Sequence, residues 1–300
     1  MPATAATAST QAARRPAAPA LCTTLRATVT GHIHAAAATE LSGLVLSRTQ
    51  PHVLWTHNDS GDRPRVLAVT PGGRLLADVA ISGADAVDWE DIAIGSAPGG
   101  GDALYIADIG DNDEQRPDVT VYRVPEPAVA GGGPGTSGPA ARLTLRYPDG
   151  AHNAEALLVD PATGALVLVT KTFGGDSGIY VASEPSASAT TLLRRRGRLA
   201  LGAAEAVTAG DVSADGRAVV LRTYDRAFVW RRRAGEPVAA ALRRRPCTAR
   251  ADLFAEGQGE ALALTARGRS FYTVPEGPRP AIRRYVARRP SITTLRRGGG

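Results

Sequence analysis

Lysine, asparagine and methionine are nearly missing from this 300-residue chain. There is one lysine, Lys171, among 35 Lys and Arg, three asparagines, Asn58, Asn112 and Asn153, and a single methionine. Arginine serves most generic surface roles but cannot replace a compact ammonium, so Lys171 is singled out as a residue with a task. Aromatics make up only 5%. A core must therefore be assembled from Val, Leu, Ile and Ala, which favours many short strands over long helices. No segment is long and apolar enough to span a bilayer as a helix.

Other signatures are missing as well. The five histidines, at 32, 34, 52, 57 and 152, show no zinc-ligand spacing beyond His32-Ile-His34. Gly174 to Gly178 contains no serine elbow. The glycine-rich stretches do not follow a strand and open a helix, so they are not phosphate loops.

Charge is present but unevenly spread. The net charge is +6; residues 1–150 carry 11 basic against 16 acidic side chains, and residues 151–300 carry 24 against 13. Arginine runs at 194–196, 231–233 and 243–245 are a candidate polyanion contact. They lack interleaved aromatics, so a solvated surface is the simpler account and nucleic acid is not the expected partner.

Residues 1–21 are Ala, Pro and Thr rich and read as a disordered tail, followed by one domain over 22–290 and a flexible tail over 291–300. Arg14-Arg15 lacks the apolar run of a twin-arginine signal, and Leu21-Cys22 lacks the small residue that precedes a lipidated cysteine. The two cysteines, Cys22 and Cys247, are either a disulfide closing a very long loop or two unrelated buried thiols. A disulfide would argue for an oxidising compartment, and the expected location is secreted or cell-wall associated.

A unit recurs about every 50 to 65 residues, each copy opening on an acid before a short apolar run and a second run ending in polar residues. The openings are Glu40, Glu90, Glu155, Asp211 and Glu260. Hairpin signals such as Pro161-Ala-Thr-Gly164 and Asp215-Gly216 separate the two runs. Third strands are expected at Arg65–Val69, Val119–Val124, Gly178–Ala182, Ala227–Arg231 and Ala281–Val286. Fourth strands are expected at 74–81, 141–147, 191–199 and 237–242. The fifth copy lacks one, and residues 25–33 are expected to supply it. The fold expected is an all-β propeller of five four-stranded blades closed by this N-terminal strand, with room for a degenerate sixth blade in 126–140 or 232–258.

In a blade the first strand lines the channel and the second runs antiparallel to it, so the start of one meets the end of the other. One channel end would then gather Glu40 with His57, Asn58 and Asp59; Glu90 and Asp91 with Asp108, Asp111 and Asn112; Glu155 with Lys171; Asp211 with Arg222; and Glu260 with Glu276. Carboxylates packed round an axis repel unless a cation or fixed basic groups offset them. The expected metal ligands are Glu90, Asp91, Asp108, Asp111, Asn112, Glu155 and Glu260. Such hard oxygen donors suit calcium best, then magnesium or manganese. Asn58, Asp59 and Asn153 are expected to bind ligand. Trp89 either walls a pocket or staples the first blade to the second.

The segments Glu40-Leu-Ser-Gly-Leu44, Asp88-Trp-Glu-Asp-Ile-Ala93, Tyr105-Ile-Ala-Asp-Ile-Gly-Asp-Asn112, Asn153-Ala-Glu-Ala-Leu157 and Gln258-Gly-Glu-Ala261 resemble a group of uncharacterised actinobacterial propeller proteins. More remotely they resemble the phytase-like esterase and SdiA-regulated propeller families. The distant resemblance implies calcium and hydrolysis, and it carries over only Glu90, Glu155 and Glu260 as channel-end ligands. Paired aspartates with a basic phosphate cradle are missing, which speaks against phytase activity itself.

Two functions are in view. One is a secreted, cation-dependent hydrolase of a phosphoester, ester or lactone, with a metal-held water as nucleophile and with Lys171 and Arg222 stabilising developing negative charge. The other is a monomeric, non-catalytic propeller that binds a protein, glycan or small anion at the same face.

Overall fold

In the computed structural model, residues 20–129 and 133–288 are described. Residues 1–19 of the expected N-terminal tail, including Arg14-Arg15, and the expected C-terminal tail lie outside the described residues. The chain opens with β1 (Leu25–His32) and continues through β2 (Leu41–Leu46), β3 (Leu54–Asn58), β4 (Arg65–Val69) and β5 (Leu75–Ala80). Next come β6 (Trp89–Ser96), β7 (Asp102–Asp108), β8 (Val119–Pro125), β9 (Gly133–Thr136) and β10 (Ala141–Arg146). These are followed by β11 (Ala154–Val159), β12 (Leu166–Thr170), β13 (Gly178–Ala182), β14 (Thr191–Leu192) and β15 (Arg194–Arg198). The remainder is β16 (Val207–Val212), β17 (Ala218–Thr223), β18 (Ala227–Arg231), helix α1 (Val238–Leu242), β19 (Cys247–Ala249), β20 (Gly259–Leu264), β21 (Ser270–Pro275) and β22 (Ala281–Ala287).

Hydrogen bonding sorts these strands into five sheets: β2-β3-β4-β5-β9, β6-β7-β8-β10-β14, β11-β12-β13-β15, β16-β17-β18-β19 and β20-β21-β22-β1. The inner strands β2, β6, β11, β16 and β20 pack side by side in that order, and β20 packs on β2. The protein is thus a five-bladed β-propeller. In the fifth sheet the outer position is held by β1, antiparallel to β22.

The pattern follows from where side chains go. Five apolar clusters fill the five gaps between neighbouring blades. Alternate residues of one strand enter different clusters: Leu157 packs toward the second blade, Ala156 and Leu158 toward the fourth. A strand covered on both faces reads as an unbroken apolar run, as in Leu-Val-Leu-Val at 166–169.

No sixth blade exists among the described residues. Gly133–Thr136 instead adds a parallel edge strand to the first blade. Residues 238–242 form a helix where a strand was expected. The run Val-Ala-Ala-Ala-Leu is good helix material, Pro237 presets its entry, and Asp160 Oδ2 accepts the Val238 amide at 2.8 Å. The outer strand of that blade is Cys247–Ala249, and Cys247 is joined to Cys22 by a disulfide across a separation of 225 residues. No helix among the described residues is long and apolar enough to cross a membrane.

Candidate metal centre at the channel end

Every inner strand carries a register shift against its partner at the same place. The residues skipped are Gly43, Glu90, Glu155, Thr208 and Glu260. A bulge turns one side chain out of the pleat alternation and re-aims it. Three of the five re-aimed residues are glutamates, and they are the three that the sequence resemblance carries over.

Glu90 and Glu260 meet Asp59, which follows the end of β3, and one ligand oxygen from each lies within 4.8 Å of the others. Glu155 pairs with Lys171 at the end of β12, and the same ammonium stands 3.8 Å from Glu260. Tyr224 donates its hydroxyl to Glu260 at 2.9 Å, and its ring lies 5.3 Å from the Lys171 ammonium. The other oxygen of Glu155, Oε2, is buried with no hydrogen-bond partner among the described residues.

The electrostatics follow from burial and crowding. Desolvation, reinforced by the charges of Glu155, Asp59, Asp88 and Glu260, pushes Glu90 up to about 11. Burial also raises Glu155 to about 8 despite the opposing Lys171, and Asp59 to about 6. Glu276 rises to about 8 through burial and its contact with Glu260. Burial alone would lower Lys171, but the charge of Glu155 outweighs it and holds the ammonium above its usual range. The site thus stores protons on carboxylates that an added positive charge would displace.

Other expected residues are placed differently. Asp91 points at the inner strands of the third and fourth blades: its Oδ2 accepts the amides of Leu157 at 2.8 Å and Gly210 at 3.3 Å, and its Oδ1 accepts that of Ile92 at 2.9 Å. Asp211 does the same between the fourth and fifth blades, accepting Leu264 N at 2.7 Å. Both tie inner strands together and leave little capacity for a cation. Asp108 is salt-bridged to Arg116 at 2.8 Å and caps the amides of Val87 and Asp88. Asp111 accepts the amides of Gln115 and Arg116.

The three asparagines hold loops. Asn58 accepts the amides of Thr39 and Glu40 and donates to Ala37 O and Asp62. Asn153 accepts the Asp111 amide and donates to Asn112, which fixes the 108–112 loop on β11. Arg222 is wholly buried and faces away from the cluster, donating to Glu256 at 3.1 Å and to Ala261 O at 3.1 Å. Trp89 donates to Asp85 O and packs edge-on to His57, stapling the first blade to the second.

Glu40 and Asp211 are not the counterparts of the three glutamates. The first blade has Gly43 at the bulge because a Cβ there would stand 2.6 Å from His57 Nε2, and its φ is +70°. The fourth has Thr208, whose hydroxyl donates to Gly259 O at 3.0 Å. Tyr224 and Gly110 escaped the sequence reading. Gly110 lies flush against Glu90 and Asp88, where any Cβ would collide with both carboxyl groups. The signal for it was present in Ile-Gly-Asp, but nothing in the sequence marked which glycine touches the cluster.

No family model matches this chain, and no curated protein matches it. Among solved structures it is similar to XC5397 from Xanthomonas campestris, described as a gluconolactonase important in glucose secondary metabolic pathways, with 12% identity and a TM-score of 0.49. The match covers 88% of this chain and 90% of that one, and at this level the likeness concerns the fold.

Proposed function

We propose that this protein is a divalent-cation-dependent hydrolase whose reaction takes place at the Asp59, Glu90 and Glu260 cluster, on a neutral ester or lactone. The observation that carries the reading is the convergence of these three carboxylates within 4.8 Å, beside the partnerless Oε2 of Glu155. All donors are hard oxygens, two on inner strands and one in the loop after β3, a set that suits calcium, which accepts irregular coordination, before magnesium. A bound cation of this kind polarises a carbonyl and acidifies a water.

The chain's own groups have separate tasks. Asp59, Glu90 and Glu260 would hold the cation, and Glu155, raised to about 8, would take or return a proton near neutral pH. Lys171 would steady negative charge developing on the substrate oxygen, and Tyr224 fixes the Glu260 carboxyl by its hydrogen bond. A phosphoester fits less well: Glu40, Asp59, Asp88, Glu90, Glu155, Glu260 and Glu276 are offset by Lys171 and, at Asp88, by Arg116, so an anionic substrate would meet an excess of acids even with one cation bound. The exposed Val87 and Phe173 flank Asp88 and Lys171 in the chain and offer apolar contact to an acyl group. The disulfide favours an oxidising compartment, which would place this activity outside the cytoplasm.

The test is a screen of neutral aryl esters and lactones with purified protein, stripped by chelator and reloaded with calcium, magnesium or manganese. Chelator-sensitive turnover that is lost in Glu90→Gln is expected. Stoichiometric cation uptake with no turnover on any of these substrates would overturn the hydrolase and leave a binding protein.

A further inference from the structure

Two of the arginine runs singled out in the sequence, 231–233 and 243–245, are distant in the chain but meet at the outer edge of the fourth blade. Together with the β16-β17 hairpin they enclose a concavity of about 570 Å³ lined by Asp215, Arg217, Arg231, Arg232, Arg233 and Arg244. We infer that this cavity binds a compact multivalent oxyanion of the oligophosphate class, separately from the channel-end site.

The cavity is built rather than incidental. Arg232 forms its floor, nearly buried, with Nη1 donating to Gly216 O and Nη2 to Asp160, both at 3.1 Å. Those bonds lock the guanidinium plane, yet its Nε is buried without an acceptor among the described residues. Arg244 is held in the same manner, donating to Arg231 O and to Glu236 at 3.0 Å, and its Nε also lacks an acceptor.

The acids nearby do not compete for that role. Asp215 is engaged by Ser213 Oγ at 2.7 Å and the Arg217 amide at 3.1 Å, and Asp160 and Glu236 are committed to the fixed arginines. Arg217 and Arg233 are exposed, and neither guanidinium has an ion-pair partner among the described residues. One preset guanidinium on the floor, Arg232, a second held half-exposed, Arg244, and the two exposed ones of Arg217 and Arg233 at the rim suit a ligand with several oxygens on adjacent centres, which arginine recognises by forked hydrogen bonds. A single small anion would meet only part of the set.

Inorganic pyrophosphate is the probe, titrated calorimetrically against the whole protein in chelator-free buffer of constant ionic strength. A saturable one-to-one isotherm is expected, weakened about tenfold or more in Arg217→Gln/Arg233→Gln, since each lost charge-assisted bond costs roughly a factor of ten. It is expected to be unchanged in Arg26→Gln/Arg74→Gln, which removes equal charge from exposed positions on the fifth and first blades, and in Glu90→Gln. Both double variants alter exposed side chains, so their melting temperatures should match that of the parent. A polythymidylate oligonucleotide forms a second arm. Equal weakening in the two double variants, or binding of the oligonucleotide without saturable binding of pyrophosphate, would overturn the proposal in favour of diffuse attraction to a basic surface.

Discussion

Raising the pH in the absence of divalent cations should destabilise this protein between about pH 5 and pH 8, the reverse of ordinary acid denaturation. Glu90 and Glu155 are nearly wholly buried and hold their protons up to about 11 and about 8, whereas in an unfolded chain a glutamate loses its proton near 4.3. Within that window the folded state binds more protons than the unfolded state. Stability therefore falls as pH rises, by about 1.4 kcal/mol per pH unit for each proton so held.

If this pair retains only one proton between pH 5.5 and 7.5, the loss is about 3 kcal/mol, or roughly 6–10 °C in melting temperature for a domain of this size. Calcium should abolish most of the slope, because a cation takes the place of the protons, and its apparent affinity should rise with pH. The measurement is thermal unfolding by circular dichroism at pH 5.5, 6.5 and 7.5, with chelator and with saturating calcium. A melting temperature in chelator that is flat or rising over this range would refute the argument, since it would mean the three bulge glutamates do not share a dry, crowded space.

Other perturbations separate the roles of neighbouring groups. Gly110→Ala should lower calcium affinity at least about tenfold in a calorimetric titration while the protein stays folded, because the new methyl displaces the Glu90 and Asp88 carboxyls. Asp91→Asn should lower the unfolding free energy in urea by about 1–2 kcal/mol, since its oxygen can still accept from Leu157 and Gly210 while its NH2 faces the Ile92 amide, whereas Asp91→Ala should cost about 3 kcal/mol by orphaning three buried amides. Reducing the bond between Cys22 and Cys247, 225 residues apart, should cost about 5 kcal/mol on chain-entropy grounds and lower the melting temperature by on the order of 10 °C.

The ring was legible because each blade buries both faces of its inner strands, which writes short apolar runs into every repeat, and hairpin glycines mark their ends. The helix at 238–242 was not, because Val-Ala-Ala-Ala-Leu is apolar enough for an outer strand and the Asp160 carboxylate that accepts the Val238 amide comes from another blade. The site was partly legible for the same reason. Glu90, Glu155 and Glu260 could be picked out by position in the repeat, but Asp91 has the same residue class one place along, and period two sends it toward the third and fourth blades, where the amides of Leu157 and Gly210 occupy it. Arg222 ends an inner-neighbour strand as Lys171 nearly does, yet its register turns it into the gap between the fourth and fifth blades.

What distinguishes the glutamates from the other acids is therefore the bulge, a feature of strand pairing that no single strand encodes. A regular inner strand would send Glu90 toward one neighbouring blade and Asp91 toward the other, burying charge in the apolar gaps at a cost of several kcal/mol each. Skipping one residue near the start of each inner strand, the third in β2 and the second in the other four, lets a side chain leave the alternation without disturbing the apolar residues that follow it. The residue skipped is then free of packing constraint but committed to the axis. Where the first blade needs that space for His57, it must be Gly43. Where the fourth must tie to the fifth, Thr208 bonds to Gly259 O. The remaining three bulge positions, 90, 155 and 260, all carry glutamate, and its carboxylate leaves the apolar alternation there.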